Sequence, residues 1–227
     1  MSCCILWLQV KSRNGKEKKM SNYLKKPAVV FLIGILAGIL CRLSDLFPYE
    51  SLWSLSSIAT LFGFWIASIS VITMYSASHK TAFMNTFLYL FGMTLAFYGL
   101  KYLLGFFVPQ FDDGGVFQAR LFWIYTGLSL LCGLGSAVLY FWNKARWYSS
   151  ILYALPVSAL LAEGIACGIV LFSKHMLLGQ TIFDLAAAAW FSIALGKKAP
   201  NKLVFLCALA AFSAIVFRVV YMNWITF

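Results

Sequence analysis

Seven apolar stretches, each about as long as a helix must be to cross a bilayer, take up most of the chain: roughly 28–47, 52–75, 82–107, 120–142, 149–173, 177–196 and 203–224. A helix rises about 1.5 Å per residue, so about 20 mostly apolar residues span a hydrocarbon core about 30 Å thick. Within lipid, only helices and closed barrels satisfy all their backbone polar groups. Continuous runs of this length predict helices. The expected fold class is therefore all-α: an integral membrane bundle of about seven transmembrane helices. Composition supports this, with 62% hydrophobic and 11% charged residues, against about 45–50% and about 25% in soluble domains. No connection is long enough for a separate soluble domain. Residues 1–26 form a basic tail, and 27–227 form a single transmembrane helical domain.

The net charge of +11 raises the question of nucleic acid. Its distribution answers it, because the basic residues sit beside the apolar stretches, where the positive-inside rule places them. Lys25 and Lys26, Lys80, Lys144 and Arg146, and Lys197, Lys198 and Lys202 fall on one side of the membrane if the N-terminus is cytoplasmic. Asp45, Glu50, Asp112 and Asp113 fall on the other. The expectation is N-terminus inside, C-terminus outside, with the lipid bilayer as the partner and no nucleic acid. Asp184 makes the short sixth stretch the weakest span. Trp53, Trp123 and Trp224 near outer ends, and Trp142 and Trp147 near inner ends, match an interfacial aromatic belt.

In the tail, the apolar patch from Cys4 to Val10 is too short to span a bilayer and lacks the order of a signal peptide. Gly15-Lys-Glu-Lys-Lys19 before Met20 can be encoded by a purine-rich ribosome-binding sequence. Translation is expected to start at Met20, with residues 1–19 a misannotated extension.

Ionisable side chains inside apolar spans are expensive and tend to face partners or water. Six of those in or near the ends of the stretches are singled out: Arg42, Asp45, Lys101, Glu163, Asp184 and Arg218. Glu163 is farthest from either end of its span, and Pro156 lies about two turns earlier on the same face, freeing the carbonyl of Leu152. A helix kink beside a carboxylate suggests a polar cavity; the competing reading is an ion pair that fixes helix packing. Arg42 and Asp45 are three residues apart and can pair locally. That leaves Glu163 and Asp184 to pair with Lys101 and Arg218. Tyr98 flanks Lys101 at helical spacing. Gly34/Gly38 and Gly164/Gly168 are small-xxx-small pairs suited to close helix contact. Leu61-Phe-Gly-Phe-Trp-Ile-Ala67 and Leu90-Phe-Gly-Met-Thr-Leu-Ala96 share a short pattern, which helix packing explains as well as an inverted repeat does.

The six cysteines show no C-x-x-C spacing, and no histidine completes a zinc or redox site. Metal ligands and cofactors are therefore not expected. Zinc-protease, nucleophile-elbow and phosphate-loop motifs are also lacking.

Ala154-Leu-Pro156 through Glu163, Leu43-Ser-Asp45 and Ala96-Phe-Tyr98 resemble an uncharacterised family of small bacterial multi-pass membrane proteins, over most of residues 28–222. The resemblance implies a bacterial cytoplasmic membrane and leaves the activity open.

The expected function is binding or transport of a small polar solute through an outward-facing polar cavity. Glu163 and Asp184 would be polar or proton-binding groups, with Arg218, Lys101 and Arg42 as counter-charges and Asp45 and Tyr98 beside them. Other membrane subunits are further candidate partners. The alternative is a structural, immunity or signalling protein whose charges fix helix packing. A membrane-embedded enzyme or accessory subunit ranks last.

Overall fold

The computed structural model describes residues 26–107, 116–144 and 146–222. The tail, Asp112, Asp113 and Trp224 lie outside them. The described residues are helical, with no strand among them. In chain order the helices are α1 (Pro27–Ser44), α2 (Ser57–Thr60), α3 (Gly63–Tyr75), α4 (His79–Gly105), α5 (Ala119–Leu139), α6 (Trp147–Lys174), α7 (Leu178–Gly196) and α8 (Lys202–Val216). A 3-10 turn, Tyr140–Asn143, follows α5, and a π turn, Phe217–Tyr221, continues α8.

Local chemistry sets several of these boundaries. Pro27 opens α1, where its missing N–H costs nothing. Ser78 caps α4 by accepting the Thr81 N–H at 3.1 Å. Asn201 caps α8 by accepting from Leu203 and Val204. Helix α6 runs unbroken through Pro156.

Six helices are long and apolar enough to cross a membrane. The expected sixth span is among them, as α7. The exception is the second stretch, 52–75, which does not form one continuous helix. It divides into a turn-rich segment, the single turn α2, and the 13-residue α3. At 1.5 Å per residue α3 covers about 20 Å, two thirds of a hydrocarbon core. Its first turn is held from outside the segment, by groups described below.

The helices form two groups. In one, α4 packs between α1 and α5; in the other, α6 packs between α7 and α8. Each has its own core. Val30, Ala37, Tyr89, Leu90 and Met93 build the first; Tyr153, Ala154, Val157, Leu160 and Phe191 build the second. The short α3 touches both groups, giving Ile72 to the first core and Ala67 to the second. It is also tied to α4 and α5 by a buried hydroxyl chain, Thr73–Ser136–Thr86, with links of 2.6 and 2.9 Å.

Glycines make the closest helix contacts. A Cβ on Gly34 would strike the Tyr89 carbonyl, and one on Gly38 the Met93 carbonyl, so α1 and α4 meet backbone to backbone. Gly164 lies against Leu185 and Asp184, while a Cβ on Gly168 would make only ordinary contact with Thr181. In the two similar heptapeptides, Gly92 packs on Phe31 and Gly63 on Asp184 and Gln180. The shared pattern therefore reflects two different close approaches.

The aromatic expectation needs one correction. Trp53, Trp123 and Trp147 are exposed, as interfacial residues would be, but Trp142 is 1% exposed and stacks on Tyr153 at 5.4 Å. It is a core residue, because the 3-10 turn rolls it under α6.

Candidate functional site

The candidate residues gather at one end of the bundle, where α1, α4, α6 and α8 finish and α3, α5 and α7 begin. All but Pro156 and Arg218 fall into two sites, one on each side of the break between α2 and α3.

The first is built around Glu163, which lies about 16 Å before the end of α6 and is fully buried. One carboxylate oxygen accepts the Gly63 backbone N–H at 2.9 Å. The other accepts the Tyr221 hydroxyl at 2.6 Å. Gly63 is the first residue of α3, so its amide is one that no helical carbonyl can satisfy. Aligned peptide dipoles also make a helix N-terminus favourable for negative charge. The division of the second stretch and the burial of Glu163 thus share a cause: breaking the helix at Phe62–Gly63 exposes the donor that the carboxylate needs.

Asp184, on α7, is the second acid and is also fully buried. Gln180, one turn earlier, bridges the two acids through its side-chain amide. Its Nε2 lies 2.9 and 3.1 Å from the Asp184 oxygens and 3.4 Å from Glu163 Oε1. An added Cβ on Gly63 would fall on Asp184 Oδ1, so only glycine lets α3 approach this closely. Among the described residues, neither acid forms an ion pair with a base.

The pairing of Glu163 and Asp184 with Lys101 and Arg218 is therefore corrected. Arg218 is exposed on the π turn and points its guanidinium at the sulfur of Met222. Three residues on, Tyr221 turns inward and takes the place at Glu163. Buried carboxylates need hydrogen-bond donors, and here amides and a phenol supply them in place of cations.

The second site is a pocket of about 260 Å³. Arg42, Asp45, Tyr98 and Lys101 all line it, together with Trp65, Thr94, Phe97 and Tyr125. Arg42 donates to Asp45 at 2.7 Å, as their spacing predicts, and lies 5.1 Å from the centre of the Phe97 ring. Asp45 sits just past the end of α1. Burial pushes its carboxyl above the ordinary range, with Arg42 and Lys101 opposing the shift.

Pro156 belongs to neither site. It lines an open, almost wholly apolar hollow of about 460 Å³ with Ile66, Leu139 and Leu155. The hollow beside Pro156 is thus apolar where a polar cavity was expected; the pocket lined by charged residues lies across α3 from Glu163, against α4.

Sequence reasoning missed Gln180, Tyr221, Gly63, Trp65 and Thr94. Gln180 and Tyr221 carry no formal charge, and a search for buried charges passes over them. The i, i+4 spacing of Gln180 and Asp184 was a usable signal, since such pairs meet on one helix face. No group of three or more metal-binding side chains occurs among the described residues. No family model matches the chain, and no curated protein or solved structure matches it either.

Proposed function

We propose that this chain is a multi-pass membrane protein, with its N-terminus cytoplasmic, that binds or transports a small polar solute at its outer end. In this reading the buried carboxylates respond to protons. Six long apolar helices support the membrane assignment. Their outward faces carry Leu203, Leu206, Ile215 and Val219 on α8 and its extension, and Leu131, Leu134 and Val138 on α5, all largely exposed. Apolar faces on this scale need lipid or a partner to cover them.

One observation carries the functional reading. A broken helix aims its first amide at a buried carboxylate, and a second carboxylate shares the same bridging amide. Broken helices whose ends face buried charge are the device by which many transporters build mid-membrane sites. Two acids held this close without a cation interact strongly, and a proton on the pair removes one of the two charges. Because α3 bridges the two helix groups, a change at its first turn can bias one arrangement of the groups over another.

The structural alternative keeps one argument in its favour: the same hydrogen bonds lock α3, α6, α7 and the π turn that continues α8 together. Glu163→Gln and Asp184→Asn separate the two readings. Wild type should show a change in tryptophan fluorescence on pH titration, and both variants should accumulate and be purified normally yet lack it. Variants that titrate like wild type would remove the proton-responsive reading. Failure of both to accumulate would favour the structural one.

A further inference from the structure

We infer that the pocket between α1, α3, α4 and α5 is a binding site for a small organic monoanion with a planar or apolar body, such as a carboxylate. The inference deepens the solute-binding reading above and rests on it.

Charge comes first. Two cations, Arg42 and Lys101, line the pocket against one carboxylate, Asp45, so the lining carries a net single positive charge. Donor chemistry is the second, independent argument. Thr94 Oγ1 is buried and has no hydrogen-bond partner, in a residue only 3% exposed. The Trp65 indole Nε1 is likewise buried without a partner. Unpartnered buried polar groups are costly and call for an explanation. An indole N–H only donates, as do guanidinium and ammonium groups. Both unpartnered atoms belong to side chains that line the pocket, so a ligand bearing acceptors would supply the partner each lacks once it displaces the atoms packed over them.

Size and shape narrow the class. The volume of about 260 Å³ falls just below the range of about 300–1,000 Å³ typical of pockets for drug-sized ligands. Trp65, Phe97, Tyr98 and Tyr125 supply an aromatic wall, with Trp65 and Tyr125 at 5.9 Å and Tyr98 and Tyr125 also 5.9 Å apart. Such walls favour a flat or apolar body beside the charged group. A dianion would exceed the single net positive charge. A phospholipid phosphodiester is also a monoanion, so the test must separate a free solute from a lipid headgroup.

Full-length protein in phosphatidylcholine nanodiscs is titrated calorimetrically with benzenesulfonate, and with benzenesulfonamide as its uncharged counterpart. Benzenesulfonate should bind saturably, and the sulfonamide at least about tenfold more weakly. Thr94→Val, Trp65→Phe and Lys101→Gln should each weaken benzenesulfonate about tenfold, the scale of one hydrogen bond to a charged group. Arg218→Gln, at a residue that does not line the pocket, should bind like wild type. Gel filtration and thermal melting establish that the variants are folded. Equal binding of both probes, no binding to wild type, or equal binding by folded pocket variants would each overturn the inference. Loss of binding in phosphatidylglycerol nanodiscs would overturn the free-solute assignment and give the site to a headgroup. Binding is read without pH titration. Intact binding with silent Glu163 and Asp184 variants therefore sinks only the proton-responsive reading, and absent binding with responsive variants sinks only this one.

Discussion

Gly63→Ala tests the carboxylate centre with a single added carbon. The new Cβ would overlap Asp184 Oδ1 and lie 2.8 Å from Gln180 Nε2 and 2.9 Å from Asp184 Cγ. Either Asp184 moves away from Gln180 or the first turn of α3 backs off and lengthens the 2.9 Å bond from Gly63 to Glu163. Overpacking costs about 1–3 kcal/mol, and a lost hydrogen bond to a charged group about 1.5–3 kcal/mol. The two together give an expected loss of about 2.5–6 kcal/mol. Gly99→Ala and Gly127→Ala provide the reference, since nothing lies within 4 Å of a Cβ at either position. These two should gain about 0.5–1 kcal/mol, because alanine favours the helix. Reversible unfolding in mixed detergent and dodecyl sulfate micelles, followed by circular dichroism, measures all three. The double variant Gly63→Ala/Asp184→Ala removes the clashing oxygen, so its loss should be about 1–3 kcal/mol smaller than the sum of the single losses. Strict additivity, or a Gly63→Ala loss indistinguishable from Gly99→Ala, would refute this account of the broken helix.

Other expectations follow from the same geometry. Tyr221→Phe removes a donor from Glu163 and should cost about 1.5–3 kcal/mol in the same unfolding assay. Arg218→Gln should cost nothing measurable there, and the reverse order would restore Arg218 as the partner of Glu163. Gly38→Leu should abolish accumulation, because a side chain there meets the Met93 backbone, whereas Gly135→Leu, with open space around it, should be tolerated. Asp45 gives a pH dependence. Burial raises its folded value above the ordinary 3.8, so its ionised form costs stability that is regained as pH falls through the folded value and is constant again below the unfolded one. It is the only carboxylate among the described residues lining the pocket. Benzenesulfonate, which stays ionised, should therefore bind more tightly as pH falls through that window, and Asp45→Asn should bind tightly with no pH dependence from this site.

How far the sequence could be read depends on which groups do the work. The long helices were legible because apolar length alone specifies them, and 120–142, 149–173 and 177–196 appear with ends shifted by only a few residues. Arg42 and Asp45 were legible because their contact is local. The Gly34/Gly38 contact was legible as a pattern, though its partner on α4 was not. The partners of Glu163 were hidden for a physical reason: the Gly63 donor is a backbone amide one hundred positions away. It becomes a donor only because α3 starts there. Counting charges pointed Glu163 and Asp184 toward Arg218 and Lys101, because a hydrogen-bond network of neutral donors leaves no charge to count. A signal for the break did exist. Ser51, Ser54, Ser56 and Ser57 crowd the start of the second stretch, with Gly63 following. Ser54, in a left-handed conformation, accepts the Leu177 N–H at 3.1 Å and so ties this polar segment to the turn before α7.

The two sites meet at that broken segment. Thr60 and Trp65 face the pocket, while Gly63 between them faces the carboxylates. A charged acceptor holds an amide more tightly than a neutral one, by about 1 kcal/mol. Neutralising Glu163 therefore loosens the turn that positions the Trp65 indole, and the pocket should lose up to about tenfold in anion affinity. Coupling of this kind is reciprocal, so an anion in the pocket must shift proton binding at the acids by the same factor. Titrating benzenesulfonate into Glu163→Gln measures the first half, and proton release on adding the anion to Asp45→Asn, which lacks the opposing proton uptake at Asp45, measures the second. Equal affinities in wild type and Glu163→Gln would show two independent sites that share only a wall. A loss in affinity without matching proton exchange would mean that the substitution disturbs packing, because true linkage cannot appear in one direction alone.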